Sequence, residues 1–288
     1  ATQGVYSIRI NHSGTAACIG SLHHGGGYWT LDPAERHFDW NHTSDGYSNL
    51  TSGAFSPDDA YVASADNRTI VLWEVATGKA IWFWNAPGDI EDIALTENGN
   101  LALLGMQDYT ATLFDIRNGG IRQRLAHDGI VYDVSLSADG LLGASASDDL
   151  TAIVWNLNDG SAISTLKHNN QVKTAELSPS GRLIFTSALR EAGRIWDAAS
   201  GQQLIELPGG RGHFSTARFD ASEQQLLTGN TSGQIQLWDV QTGAELKRWR
   251  ATPGDHWVGN NVALEDVAFT DTGVVAAAAN GRVYHMQR

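Results

Sequence analysis

Apolar residues recur in short runs, four to each stretch of about 41 positions, with small and polar residues between them. The clearest copy reads VYDVSLS, LLGASAS, TAIVWNL and SAISTLK over residues 131–167, with Ser-Ala-Asp-Gly, Ser-Asp-Asp and Asn-Asp-Gly at the joints. Runs of five to seven residues rich in Val, Ile, Leu and aromatics, bounded by Gly, Asp, Asn and Ser, predict strands joined by tight turns. Four such strands per period make one antiparallel meander, and a lone meander cannot bury both of its faces. Stacking similar sheets around an axis does so, which is the logic of radial repeats.

The register of the copies is tight. An aromatic anchor stands at Trp29, Trp73, Phe114, Trp155, Trp196 and Trp238, at steps of 44, 41, 41, 41 and 42. An apolar residue ends a run 18 or 19 positions before each anchor: Ile10, Phe55, Leu95, Leu136, Leu177 and Phe219. Five positions after the anchor stand Ala34, Gly78, Gly119, Gly160, Gly201 and Gly243; eleven after stand Trp40, Trp84, Leu125, Leu166, Leu207 and Trp249. A seventh copy starts at Leu264 and continues with VVAAAAN and GRVYHMQ. Measured from Phe269, Met286 fits the anchor register better than Tyr284. The expected units are 1–42, 43–86, 87–127, 128–168, 169–213, 214–258 and 259–288, one domain in all. The last unit stops before an outermost strand. Either it has three strands or its closing strand lies upstream of Ala1; the second is preferred, because an unpaired edge invites association.

Composition narrows the function. The 288 residues carry 19 Lys and Arg against 32 Asp and Glu, a net charge of −13. A phosphate-backbone binder needs a basic face, so nucleic acid is an improbable partner, and an anionic membrane surface is disfavoured on the same ground. No run of 18 apolar residues occurs, so no membrane-inserted helix is expected. The single cysteine, Cys18, excludes an intrachain disulfide framework and a CxxC metal site.

These columns resemble the WD-repeat β-propeller family. Trp196-Asp197 and Trp238-Asp239 carry the family's dipeptide; Trp73-Glu74, Phe114-Asp115 and Trp155-Asn156 are degenerate forms. The family's histidine appears 13 residues after an anchor at His42, His127 and His168, and in an insertion at His213; its turn aspartate appears at Asp108 and Asp149, with Asp66 one residue off. The resemblance implies an all-β, seven-bladed propeller of four-stranded antiparallel blades, the last lacking its outer strand. It also implies that His42, His127, His168, Asp108 and Asp149, with Trp73, Trp155, Trp196 and Trp238, form structural hydrogen-bond relays. His127 and Asp149 with Ser145 or Ser147 have the composition of a catalytic triad. The partial recurrence of the set speaks for structure, since a catalytic set would occur once.

Other candidates are weaker. His23 and His24, with Asp255 and His256, lie in units that would be ring neighbours, but neither pair has zinc-site spacing, and no metal is expected. Phe83 stands where the other copies carry Asp39, Arg124, Thr165, Glu206 and Arg248, so it is expected to be an exposed contact. Three inter-unit connections are long: 41–49, 208–214 and 251–263. Long loops on a rigid scaffold carry recognition, and Trp, Tyr and Arg dominate binding hot spots. Trp257, Arg211 and Tyr47 are therefore the leading partner-binding candidates, with Asp255, His256, His213 and Asp45 beside them.

The expected function is a non-catalytic scaffold that takes a protein partner on the loop-bearing rim, with no cofactor. The alternative is a propeller enzyme, a hydrolase or sugar oxidoreductase with a metal in the central channel. That alternative needs carboxylates on the inner strands, whereas Asp and Glu are read as lying in turns and after the anchors. Resemblance to bacterial cell-envelope WD-repeat proteins implies an envelope location and a lipid anchor upstream of Ala1. A cytoplasmic adaptor is the other reading.

Overall fold

The computed structural model describes residues 5–21, 25–42, 48–209, 212–253 and 262–288. They form seven antiparallel sheets, six of four strands and one of three, with no α-helix among the described residues. Within each sheet the strands hydrogen-bond in chain order, so every blade is a meander. The first strand of each blade lies innermost. The innermost strands Val5–Ile10, Ser52–Phe55, Ile90–Leu95, Val131–Leu136, Val172–Leu177, Phe214–Phe219 and Leu264–Phe269 each contact the next, and the last contacts the first, closing a seven-bladed propeller.

Burial follows position in the blade. Third strands such as Thr110–Asp115 and Thr151–Asn156 are buried on both faces except at their ends. The outer strand Ala162–Lys167 alternates, burying Ser164 and Leu166 while the intervening residues face solvent. Each hydrophobic cluster spans two blades: Leu72 and Ile70 of blade two pack with Ile93 and Phe114 of blade three, and Val154 and Leu166 of blade four with Trp196 of blade five. The core is thus a ring of inter-blade seams, held by burial worth about 1.5–3 kcal/mol per large side chain.

The sequence columns acquire their reasons here. The residue eleven past an anchor sits on the outer strand and covers the anchor of the following blade. Trp40 stacks on Trp73 with ring centroids 5.3 Å apart, and Trp84 lies 4.0 Å from Phe114. Leu125 shares a cluster with Trp155, Leu166 with Trp196, Leu207 with Trp238, and Trp249 with Met286. The glycine five past the anchor turns the third strand into the outer one with a left-handed backbone, φ +68° at Gly78 and +75° at Gly160. A side chain at Gly78 would also collide with the Phe38 ring.

Blade seven follows the same register. Met286 pairs with Val274 where Trp238 pairs with Leu226 and Trp196 with Ile184, so Met286, not Tyr284, holds the anchor position. Its third strand, Val283–Gln287, is partly or fully exposed along its length, unlike the other third strands. One blade further round, Trp29 is only partly buried, whereas Trp73, Phe114, Trp155, Trp196 and Trp238 are all buried.

Candidate functional site

Strand alternation puts two kinds of connection on the same face of the disc: the crossovers from an outer strand to the next innermost strand, and the turns between second and third strands. That face is the rim on which the expected candidates concentrate. Trp257, His256, Asp255, Arg211, Tyr47 and Asp45, and also His23 and His24, lie outside the described residues. His213 and Phe83 are described. Phe83 is 52% exposed on the outer strand Ala80–Asn85, two residues from Ile81 at 49%. It lies on the perimeter of the disc and away from the rim.

Three relays run inward from the rim. In blade four, Trp155 Nε1–H donates to Ser145 Oγ at 2.8 Å. Ser145 Oγ lies 2.7 Å from His127 Nε2, and His127 Nδ1 lies 2.8 Å from Asp149. Burial holds the His127 pKa below its ordinary value, against the pull of Asp149. A neutral imidazole satisfies the chain in one way: Ser145 donates to Nε2, and Nδ1–H donates to the carboxylate. Blade five repeats it with His168 Nε2 2.9 Å from Thr186 Oγ1, which accepts from Trp196 at 2.7 Å, and with Glu191 as the acid at 3.4 Å. Blade two has His42 2.9 Å from Ser64, which accepts from Trp73 at 2.7 Å, and Asp66 at 3.6 Å. Burial acts to raise the Asp66 carboxyl, but the His42 ring and the amides of Arg68 and Thr69 outweigh it and hold it at about 2. Ser145 is fully buried and its oxygen already accepts from an indole, so the triad-like set is a clamp between rim and blade.

Two residues depart from the expected relay. Asp108 has no histidine, because Ala86 stands 13 residues past Trp73; it accepts instead from Thr110 Oγ1 at 2.6 Å and faces Arg124 at 3.8 Å. The anchor of that blade, Phe114, has no N–H to relay. His213 makes no ring hydrogen bond among the described contacts. Trp238 donates to Thr228 at 2.9 Å, and the edge of Phe214 rather than an imidazole faces its ring at 6.4 Å.

His213 instead lines a rim cleft of about 850 Å³ between blades five and six, with Asn170, Gln171, Arg190, Glu191 and Gly212. Burial and the neighbouring Lys173 lower its pKa, so the ring is neutral at pH 7. Lys173 Nζ lies 3.1 Å above the Tyr132 ring. Arg190 is exposed and held at φ +60°.

The channel wall carries charges that the sequence reading placed elsewhere, which corrects the expectation of carboxylates confined to turns and positions after the anchors. Three residues before each apolar run-end stand Ser7, Ser52, Asp92, Asp133, Thr174, Thr216 and Asp266, and most of them bond to the next blade. Ser52 Oγ donates to Asp92 at 3.2 Å, and Asp92 accepts the Val134 amide at 3.2 Å. Asp133 accepts the Ala175 amide at 2.7 Å, and Thr174 donates to the Phe214 carbonyl at 3.0 Å. Thr216 donates to Asp266 at 3.3 Å, and Asp266 accepts the Ile10 amide at 2.7 Å. This polar girdle sews the inner strands together. Beside it, Arg9 pairs with Asp92 at 2.8 Å and Arg218 with Asp266 at 3.3 Å.

Glu176 has no such clamp. Burial, more than Asp266 and Asp92 and against the pull of Arg218 and Arg9, pushes it up to about 8. Burial likewise raises Asp133 well above the carboxylate range, with Asp92 adding to the effect, and burial raises Glu265. These groups line a channel cavity of about 400 Å³. Among the described residues no three His, Cys, Asp or Glu side chains converge to hold a metal ion. Arg9, Glu176 and Arg218 one position before Ile10, Leu177 and Phe219, and Asp92, Asp133 and Asp266 three before Leu95, Leu136 and Phe269, stand in register in the sequence and are the signal for the girdle.

The WD40 family model, described as WD domain, G-beta repeat, matches residues 39–74 and 120–156. Each match begins in the outer strand of one blade and ends with the third strand of the next, so the sequence unit straddles a seam. Comparison with curated proteins finds no match. Seven blades around one axis make this chain a seven-bladed β-propeller, and two of its seams match the WD-repeat family model in register.

Proposed function

We propose that the chain is a non-catalytic scaffold that binds a protein partner on its rim. The observation that carries this reading is the cleft at His213, Arg190, Glu191, Asn170 and Gln171. It offers mixed charge, amide donors and a neutral imidazole on a scaffold whose strands are locked by relays and girdle, and WD-repeat propellers commonly serve as protein-interaction platforms. No helix among the described residues is long and apolar enough to cross a membrane. The polar cleft suits a polar polypeptide surface better than a small apolar ligand.

Two variants test the reading, Arg190→Ala with His213→Ala and, separately, Trp257→Ala. Proteins crosslinked to the wild-type chain in an extract of its native source are expected to fall about tenfold in yield with either variant, at unchanged melting temperature, as loss of one hot spot produces. Capture indifferent to both variants would remove the rim from consideration. The rival is a metal-dependent enzyme with its site in the channel, whose carboxylates form no three-ligand cluster among the described residues. A strong axial anomalous peak after a divalent-metal soak, bound by channel carboxylates, would decide for it.

A further inference from the structure

Strand direction fixes what the channel presents along its length. Each innermost strand enters from the rim and ends at an apolar residue, after which a turn on the opposite face carries Pro57, Ala138, Pro179 or Ala221. The channel cavity of about 400 Å³ is lined from the girdle out to those turns, and neither Lys173 nor Tyr132 at the rim end borders it. It therefore reaches the face of the disc away from the rim. At depth the inner strands present five carboxyl groups and two guanidinium groups to it. Arg9 is engaged with Asp92 at 2.8 Å and Arg218 with Asp266 at 3.3 Å. Asp133, Glu176 and Glu265 are left without a salt bridge among the described residues. Toward the mouth the lining turns apolar, with Phe55, Leu95, Phe219 and Phe269. Asp133 has the Ala175 amide as a partner, whereas the Glu176 carboxyl makes no hydrogen bond among the described residues, and the exposure it keeps is to the lumen. Facing Glu176 are Arg9 of blade one, Asp92 of blade three, Asp133 of blade four, Arg218 of blade six and Asp266 of blade seven; blade two adds the uncharged Ala54.

We propose that the channel binds a small organic cation, a primary ammonium group on an apolar body, with the ammonium seated on Glu176 and the body toward the apolar mouth. Charge balance selects the sign of the ligand. An anion would have to draw Arg9 or Arg218 away from the carboxylates and the Glu265, Ile10 and Asn11 carbonyls that hold them. A cation instead supplies the charge the wall lacks, and a charge out of water is tolerated where it is paired. The chemistry selects an ammonium over a metal ion, because among the described residues no three His, Cys, Asp or Glu side chains converge. The size suits a small molecule, at the lower end of the range of about 300–1,000 Å³ for such sites. The site lies on the other face from the rim cleft, so the ligand and a rim partner do not compete for space.

Binding is linked to a proton. Burial keeps the Glu176 carboxyl largely protonated at pH 7, against the pull of Arg218 and Arg9. An ammonium beside it favours the carboxylate, so the ligand enters as the Glu176 proton leaves to solvent, and no net charge is added to the wall. Affinity therefore rises with pH while the free site is protonated, by about tenfold from pH 6 to pH 7, and levels off above about 8, where the carboxylate is already present.

The test titrates the full chain with benzylammonium, followed by NMR shifts of the inner-strand amides, beside benzyl alcohol and benzoate as neutral and anionic counterparts of similar shape. Benzylammonium is expected to bind at pH 8 with a Kd of about 1 mM or tighter, and about tenfold or more tighter than either counterpart. Glu176→Gln keeps the shape of the wall and is expected to weaken benzylammonium about tenfold and to flatten its pH dependence between pH 6 and pH 8. Ala94→Leu fills the lumen opposite and leaves the carboxyl in place, and is expected to give the same loss of binding. Melting temperature confirms that both variants fold. No binding of benzylammonium at pH 8, benzoate binding as well as benzylammonium, unchanged binding in Glu176→Gln, or an affinity flat from pH 6 to pH 8 would each overturn the proposal.

Discussion

Trp155→Ala is expected to destabilise the propeller by about 3–5 kcal/mol in reversible urea denaturation, as buried large-to-small substitutions do. Trp155 fills the seam between blades three and four, packed with Leu125, Leu113 and Val134. Its removal opens a cavity there and takes the indole donor from Ser145 Oγ, an atom with no route to water. Trp155→Phe separates the two effects. Phenylalanine occupies this column at position 114, so the packing loss is modest, and the remaining cost of about 1–2 kcal/mol reports the lost indole bond to Ser145 Oγ, which keeps only its bond to His127. Trp29→Ala serves as the contrast: the same column, partly exposed, is expected to cost about 1 kcal/mol or less. A near-neutral Trp155→Ala would contradict the interlock of anchor and outer strand.

The second large effect depends on pH. A carboxyl whose folded pKa stands above its unfolded value of 4.5 binds more protons in the native state. Its contribution is therefore complete below pH 4.5 and is lost as pH rises through about 8, where Glu176 ionises in the channel wall. Glu176→Gln removes the ionisable group and keeps the shape. It is expected to stabilise the protein by about 1–3 kcal/mol at pH 8 and to do little at pH 5, since Glu176 keeps partial contact with the channel lumen and solvent screens part of the penalty. The difference between variant and wild type is the observable. Burial keeps His127 below 6.5 and destabilises the native state as pH falls through that range, which masks the trend in the wild type alone. Asp66, held at about 2, adds stability that is lost only below pH 3.8. A pH-independent difference between Glu176→Gln and wild type would place Glu176 in free contact with water.

The fold was legible because burial in this architecture repeats at fixed offsets. An anchor and the residue eleven past it are two halves of one contact, so Trp40 and Trp73 or Trp84 and Phe114 must both stay large and apolar. Met286 could be chosen over Tyr284 for the same reason. Asp108 and His213 misled because a motif position says nothing about its partners: Ala86 and Phe114 break the first relay, and Phe214 takes the place facing Trp238 in the second. The channel charges escaped notice because polar residues alternating along a strand suggest a solvent face. Here Asp92, Asp133 and Asp266 alternate because they accept amides of the adjacent blade.

The phase offset between sequence unit and blade has a mechanical meaning. The stretch 120–156, like 39–74, leaves one sheet and enters the next, so the covalent chain straps each blade to its neighbour across the contact it must keep. In a linear array the end units fray first, because each lacks one neighbour. A strapped ring has no ends of that kind. At the contact between blades seven and one the Asp266 carboxylate accepts the Ile10 amide, and Arg218 of blade six reaches past blade seven to the Ile10 and Asn11 carbonyls, so side chains join the first and last blades across the axis as well.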